Sequence, residues 1–134
     1  MTLEQVFTQF ADEHGLEYRF GFANDNKTKT ARFFINYEDI DFETVCFFIE
    51  EENIMLITAD LDKVVELDFP TFKIINAINA QTKISTLIVN EDTKKVFAKA
   101  SQTLVGTPEQ MKETMVNTIY VTTMMAHASL ELLS

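Results

Sequence analysis

Short apolar segments separated by brief polar turns fill most of the first half of the chain, and this spacing constrains the fold more than any other feature. From Leu16 to Phe22 nearly every second residue is apolar, a period of two that is typical of a β-strand. The same reasoning predicts further strands near 31–37, 44–50 and 54–61. Polar turns separate these strands at 24–26, 39–41 and 51–53. Such short connections join antiparallel neighbours, so the sequence predicts an antiparallel sheet.

A helix is predicted before the first strand. Thr2 and Gln5 have the spacing of a capping box, in which each side chain satisfies a free backbone N–H of the first turn. Apolar residues then recur at helical spacing over 3–14. Gly15 can adopt the left-handed conformation that ends such a helix.

Two more helices are predicted in the second half of the chain. Asp68 has the features of an N-cap with Pro70 in the first turn, and that helix extends to about Thr82. Thr107-Pro108-Glu109-Gln110 combines an N-cap, a proline and a capping box, and opens a helix that runs to about Leu132. Strands over 84–90 and 95–104 lie between them. The predicted order is α-β-β-β-(β)-α-β-β-α, an α+β fold in a single domain over 1–134.

Several of the predicted strands are apolar on both faces. Phe33 and Ile35 point to one side and Phe34 to the other, while Phe47 and Phe48 also lie on opposite sides. An antiparallel sheet with one solvated face would instead alternate apolar and polar residues. Both faces therefore need a cover, from helices, from a second subunit or from a client protein. Because large apolar patches are rarely left bare, we expect a homodimer at micromolar concentration.

The net charge of −10 is concentrated in one half of the chain. Residues 1–67 contain 15 of the 21 acidic and 5 of the 11 basic residues. An acidic surface repels phosphate groups, so we expect neither nucleic-acid nor membrane binding. The acidity either keeps the protein soluble or attracts a basic segment of a partner. The N-terminal residues lack the pattern of a signal peptide, and with one cysteine no internal disulfide can form. A cytoplasmic location is therefore predicted.

Residues with catalytic or metal-binding chemistry are few. Cys46 lies in the middle of an apolar strand, where a thiol acts as a small hydrophobic group. His14 is predicted at a helix end, and His127 shares a helix face with Glu131. Zinc would need more Cys and His ligands, and the glycines are too isolated to form a phosphate-binding loop. The sequence thus predicts no enzymatic activity, no cofactor and no metal.

Methionines are concentrated in the last predicted helix, at Met111, Met115, Met124 and Met125. Flexible methionine side chains either fill gaps in a core or form surfaces that accept varied apolar partners. If the methionines form such a surface, they could do so together with residues from the strands that are apolar on both faces. The residues that we expect to form an exposed partner-binding surface are Phe34, Phe48, Met55, Ile57, Met124 and Met125.

The segment Ile75-Asn76-Ala77-Ile78-Asn79, with the element order around it, resembles the YbjN-like proteins, which share the fold of class I type III secretion chaperones. The similarity covers roughly residues 30–132. Gly106 matches the glycine that often follows the final hairpin of this fold, whereas Lys83 stands near the place of a helix-to-strand glycine. The resemblance implies an acidic, often dimeric, bacterial α+β domain that binds protein segments without catalytic residues. Asn76 and Asn79 are interpreted as structural, linking the helix end to the hairpin.

Two hypotheses of function follow. The first is a protein-binding module, either a chaperone or a regulatory adaptor, that holds a segment of a client. The second is a small-molecule sensor with an apolar pocket between the sheet and the last helix. The identity of the client does not follow from the sequence.

Overall fold

The computed structural model describes residues 1–133. Its elements along the chain are α1 (Leu3–Glu13), β1 (Tyr18–Phe22), β2 (Lys29–Tyr37), β3 (Ile40–Ile49), a 3-10 helix (Glu50–Glu52), β4 (Ile54–Val64), α2 (Phe69–Ala80), β5 (Ser85–Val89), β6 (Lys95–Thr103) and α3 (Pro108–Leu133). The strands form one antiparallel sheet in the order β1-β2-β3-β4-β6-β5. The predicted α+β order is confirmed.

The turn between β2 and β3 lies one residue earlier than predicted. Glu38 and Asp39 form it, with φ of 51° and 65°, and Tyr37 pairs with Ile40 across it. Two consecutive left-handed residues are the geometry of a tight hairpin turn whose twist matches that of the strands. Neither residue is the Gly or Asn that would have marked this turn in the sequence.

The predicted capping box of α1 is present, and a second group holds the same helix end. Thr2 Oγ1 accepts a hydrogen bond from the Gln5 backbone N–H (3.1 Å), and Gln5 Oε1 accepts from that of Thr2 (2.9 Å). The Glu50 carboxylate accepts from the backbone N–H groups of Leu3 (2.7 Å) and Glu4 (3.2 Å). A carboxylate at a helix N-terminus is favoured by the helix dipole. Glu50 therefore fixes α1 to the end of β3.

The start of α3 depends on a glycine. Thr107 and Gln110 form the predicted reciprocal cap, with distances of 2.8 and 3.2 Å. Gly106 has a φ of 104°, and a Cβ at this position would collide with the Gln110 side chain. Only glycine therefore combines this backbone conformation with the cap that follows it.

The core lies between one face of the sheet and the helices. One cluster joins residues of α1 and α3, such as Phe7 of α1, to alternate residues of β2, β3 and β4, such as Phe33 and Ile57. A second cluster joins Ile75 of α2 and Ala126 of α3 to β5 and β6. Within residues 1–133, α1, α2 and α3 thus all pack against the same face of the sheet. No helix of this part of the chain is long and apolar enough to cross a membrane.

Candidate partner-binding surface

The opposite face of the sheet carries no helix in the described part of the chain, and we call it the open face. Phe34 lies opposite Glu43 on it, and Phe47 lies opposite Leu56. These side chains come from the strand positions between the core residues, and they are half-buried or exposed. Apolar residues of the open face include Phe34, Val45, Phe47, Ile49, Ile54, Leu56, Ile88 and Phe97. Phe34 is 58% exposed.

A groove of about 700 Å³ crosses the open face. Val45, Phe47 and Phe97 contribute apolar side chains to it, and Thr30 and Thr58 contribute hydroxyl groups. One wall is formed by residues 22–25, at the turn between β1 and β2. The groove therefore combines an apolar floor with polar groups, the composition expected of a binding surface for a peptide or ligand.

Asp25 holds the turn that forms this wall. Its carboxylate accepts hydrogen bonds from the Thr28 hydroxyl (2.6 Å) and from the backbone N–H groups of Thr28 and Lys27 (2.9 Å each). These hydrogen bonds, the one from the Thr28 hydroxyl first, lower the pKa of Asp25 to about 2. The carboxylate is therefore charged at neutral pH, and the turn is organised before any partner arrives.

Two ion pairs border the groove. Arg32 pairs with Glu43, and Lys95 Nζ lies 2.7 Å from Asp60 Oδ2. The hydrogen bond to Asp60 raises the pKa of Lys95, so its ammonium stays protonated, with Nζ 5.8 Å from the centre of the Phe97 ring. The Arg32–Glu43 pair is largely exposed and stabilises little, whereas the Lys95–Asp60 pair is partly buried. Both pairs fix where charge lies along the groove.

The six residues predicted to form an exposed surface do not lie together. Phe34 and Met124 are exposed, the latter at 49%. In contrast, Phe48, Met55 and Ile57 are buried in the core, so the expectation of exposure is wrong for them. The reason is register: Phe48 pairs with Met55 across β3 and β4, on the face that α1 and α3 cover, whereas Phe34 points to the open face.

The methionines of α3 serve mainly as core residues. Met111 and Met115 belong to the cluster beneath α1, and Met125 to the one beneath α2. Met125 is 9% exposed, and its sulfur lies 2.9 Å from the Ser85 hydroxyl. Its predicted exposure is also wrong, because α3 turns this side toward the sheet.

Of the open-face residues named above, only Phe34 is among the residues predicted from the sequence. Val45, Phe47, Ile49, Ile54, Leu56, Ile88 and Phe97 are not. Their alternation with core residues was visible in the sequence, but both sets are apolar. The signal that distinguishes the two faces is the polar content of the open face, such as Arg32, Glu43, Thr58 and Asp60 at alternate positions.

The interior between the sheet and α3 is filled by side chains. Ile57, Met115 and Ile119 have no exposed surface and belong to one cluster, so the predicted sensor pocket is not supported at this place. An open cleft of about 780 Å³ does lie beside α3, but charged and polar residues such as Glu13, His14 and Lys112 form much of its lining.

Groups with catalytic potential are scattered. Burial raises the pKa of the Cys46 thiol, which disfavours the reactive thiolate. The His14 ring Nδ1 lies 3.0 Å from the Phe10 carbonyl oxygen, and the His127 ring packs edge-on against Tyr37. Among residues 1–133, no group of three or more His, Cys, Asp or Glu side chains is placed to hold a metal ion.

A second apolar surface lies on α2. Phe69 and Phe72, three positions apart and therefore on one side of the helix, are 77% and 43% exposed. Leu67 before the helix and Ile74 within it are also exposed. Of the α2 residues, only Ile75 is buried. We call Leu67, Phe69 and Phe72 the α2 surface.

No family model matches the chain, and no curated protein matches its sequence. Two solved structures are similar over nearly the whole chain. A chain in the crystal structure of the ExsC–ExsE complex has a TM-score of 0.62 and 19% identity, covering 98% of this chain and 92% of its own length. YbjN from E. coli, proposed to be a transcription regulator, has a TM-score of 0.57 and 18% identity, with coverages of 97% and 93%.

These similarities show the fold. The chain has the fold of YbjN and of type III secretion chaperones, as its sequence resemblance implied. At identities below 20%, a shared fold does not carry a function with it, so any role has to be argued from the surfaces.

Proposed function

We propose that this chain is a protein-binding module, of chaperone or regulatory adaptor type, that holds a segment of a client protein on the open face. One observation carries the proposal: the helices of residues 1–133 pack on one side of the sheet, while the other side carries exposed and half-buried aromatic and aliphatic side chains among polar ones. Exposed apolar surfaces bordered by polar residues are typical of protein interaction sites.

The burial of apolar area and the occurrence of this fold in a protein complex both support this role. Burial of apolar area contributes about 25 cal/mol per Å² before the costs of association and ordering are subtracted. The charged pairs at the edge would contribute mainly to orientation and rate. One of the two similar structures is itself a complex of two proteins, so this fold occurs in a bound pair.

We further propose that two copies of the chain associate through the α2 surface. Phe69 and Phe72 lie in the first turn of α2 with both rings exposed, and aromatic side chains contribute strongly to protein interfaces. A dimer formed in this way would leave the open face of each copy free, because α2 packs on the opposite side of the sheet.

The test is co-purification from the native host with three tagged forms of the chain. We expect wild type to retain a stoichiometric protein partner, identified by mass spectrometry. Phe34→Thr with Phe97→Thr removes apolar area from the open face and should lose it. Phe69→Ser with Phe72→Ser also removes two aromatic rings, but from the α2 surface, and this variant should retain that partner. If wild type retains none, or if the open-face variant keeps it while still folded by circular dichroism, the proposed function is wrong.

A further inference from the structure

The groove on the open face continues into a smaller hollow whose lining is mostly acidic. The hollow has a volume of about 190 Å³ and lies toward the β2–β3 turn, where Phe34, Asp41 and Asp62 line it. It shares Glu43, Asp60 and Lys95 with the groove. The two therefore form one continuous surface, apolar at one end and charged at the other. We call this end the acidic hollow.

The charge of the acidic hollow is not balanced. Its described lining contains four carboxylates, of Asp41, Glu43, Asp60 and Asp62, and one ammonium group, of Lys95. Lys95 is already paired with Asp60, and Glu43 with Arg32. Among residues 1–133, neither Asp41 nor Asp62 takes part in an ion pair; Asp41 accepts a hydrogen bond from the Asn36 amide (2.9 Å). This end of the groove is thus complementary to a cation.

The dimensions favour a single side chain as the occupant. A volume of about 190 Å³ is below the roughly 300–1,000 Å³ of pockets that enclose small molecules. Phe34 adds an exposed aromatic ring to the lining. A guanidinium group stacks on such a ring and also pairs with carboxylates through its planar N–H groups, whereas an ammonium group does so less well.

The strand geometry sets the distance from this cation to an apolar side chain. Glu43 lines the acidic hollow and Phe47 the apolar floor, four residues apart on β3. At about 3.3 Å per residue they lie about 13 Å apart. In an extended segment along β3, residues i and i+4 span the same distance and point to the same side.

We propose that the open face holds an extended partner segment in which an arginine lies about four residues from a large apolar residue. The arginine enters the acidic hollow beside Phe34, and the apolar residue packs on Val45, Phe47 and Phe97. This inference rests on the proposed function and adds the chemistry of the client segment.

The test is fluorescence anisotropy with fluorescein-labelled 12-residue peptides of serine and threonine. Each peptide has phenylalanine at one position and arginine, glutamine or glutamate four positions away. We expect the arginine peptide to bind about fivefold more tightly than the glutamine peptide, and the glutamate peptide to bind most weakly. A peptide with arginine next to phenylalanine should lose the advantage.

Two charge variants make the test specific. Asp41→Asn with Asp62→Asn keeps the shape of the hollow, and asparagine tolerates the left-handed conformation of residue 62 (φ 51°). It should reduce the arginine preference to less than twofold. Glu91→Gln with Asp92→Asn removes the same charge at the exposed β5–β6 turn and should leave the preference unchanged.

Three results would overturn the inference: equal binding of arginine and glutamate peptides, a preference that survives Asp41→Asn with Asp62→Asn, or no binding of any peptide up to 1 mM. These outcomes differ from a failure of the proposed function. Suppose that binding of the native partner is lost in Phe34→Thr with Phe97→Thr, while the peptides show no preference. The proposed protein-binding function is then retained, and only the inferred chemistry of the client segment is wrong.

Discussion

At the scale of single residues, Met124 and Met125 show how strongly one position changes a side chain's environment. They are adjacent on α3, but Met125 is buried against Ser85 while Met124 is half exposed. The preceding turns of α3 contain buried threonines such as Thr118 and Thr122. Their hydroxyls donate hydrogen bonds to the carbonyl oxygen four residues earlier, at 2.8 Å. These bonds let polar residues face the core without unpaired groups.

Substitution of the two methionines should therefore separate stability from surface effects. Met125→Ala removes buried atoms and should lower the free energy of unfolding by about 2–4 kcal/mol. Met124→Ala at the neighbouring exposed position should change it by less than about 0.5 kcal/mol. Urea denaturation followed by circular dichroism measures both. Equal losses in the two variants would show that α3 is rotated relative to the sheet.

At the scale of secondary-structure elements, the side-chain amide of Asn79 links α2 to β5 at the edge of the sheet. Asn79 Nδ2 donates to the Leu87 carbonyl oxygen (3.1 Å), and its Oδ1 accepts from the Leu87 backbone N–H (2.7 Å). The structural role predicted for Asn79 is thus confirmed, and it acts on β5 as expected. Asn76 is exposed, so the two asparagines of the motif have different surroundings.

This difference gives a matched pair of variants. Asn79→Ala removes two hydrogen bonds to partly buried backbone groups and should destabilise the protein by about 1–3 kcal/mol. Asn76→Ala should have an effect below about 0.5 kcal/mol. Hydrogen exchange of the Leu87 amide measures the local effect, since the protection of this amide should fall in Asn79→Ala and not in Asn76→Ala. Similar destabilisation by both would contradict the role of Asn79 as the connection.

The turn that forms the wall of the groove should respond to acid. Because its folded-state pKa of about 2 lies below the ordinary value of 3.8, the Asp25 carboxylate stabilises the turn fully above pH 4. This contribution is lost as the pH falls from about 4 to 2. An NMR titration of the Thr28 amide should therefore show a midpoint near pH 2, and Asp25→Ala should abolish the transition. A midpoint near 4 would show that the turn is not formed as described.

At the scale of the whole molecule, the order of the helices and strands could be predicted from the sequence. Which face of the sheet the helices cover could not. Capping residues such as Thr2, Asp68 and Thr107 act locally, so the helix starts could be predicted from them. Which side of β3 the helices cover depends on long-range packing. Phe47 is half-buried and Phe48 is buried, but the two side chains are equally apolar. Only the polar residues at alternate positions, such as Glu43 on the side of Phe47, mark the open face in the sequence, so part of the predicted site lies in the core.

The proposed dimer is also a property of the whole molecule. Multi-angle light scattering of wild type at micromolar concentration should give about twice the chain mass of 15.4 kDa. Phe69→Ser with Phe72→Ser should give the monomer mass, since both rings are exposed in the single chain and their loss leaves the core intact. Phe34→Thr with Phe97→Thr is the control and should remain dimeric. A dimer that dissociates only in this control would place the interface on the open face.

Methyl NMR can show whether the client segment lies on the open face. A chain labelled at Ile, Leu and Val methyl groups is titrated with the partner that co-purifies with it. We expect the largest shifts at Val45, Ile49, Leu56 and Ile88. The methyl groups of Leu3, Val6 and Ile119, on the buried sides of α1 and α3, should change little. Shifts concentrated at Ile74 of α2, with the open-face methyl groups unchanged, would contradict this expectation.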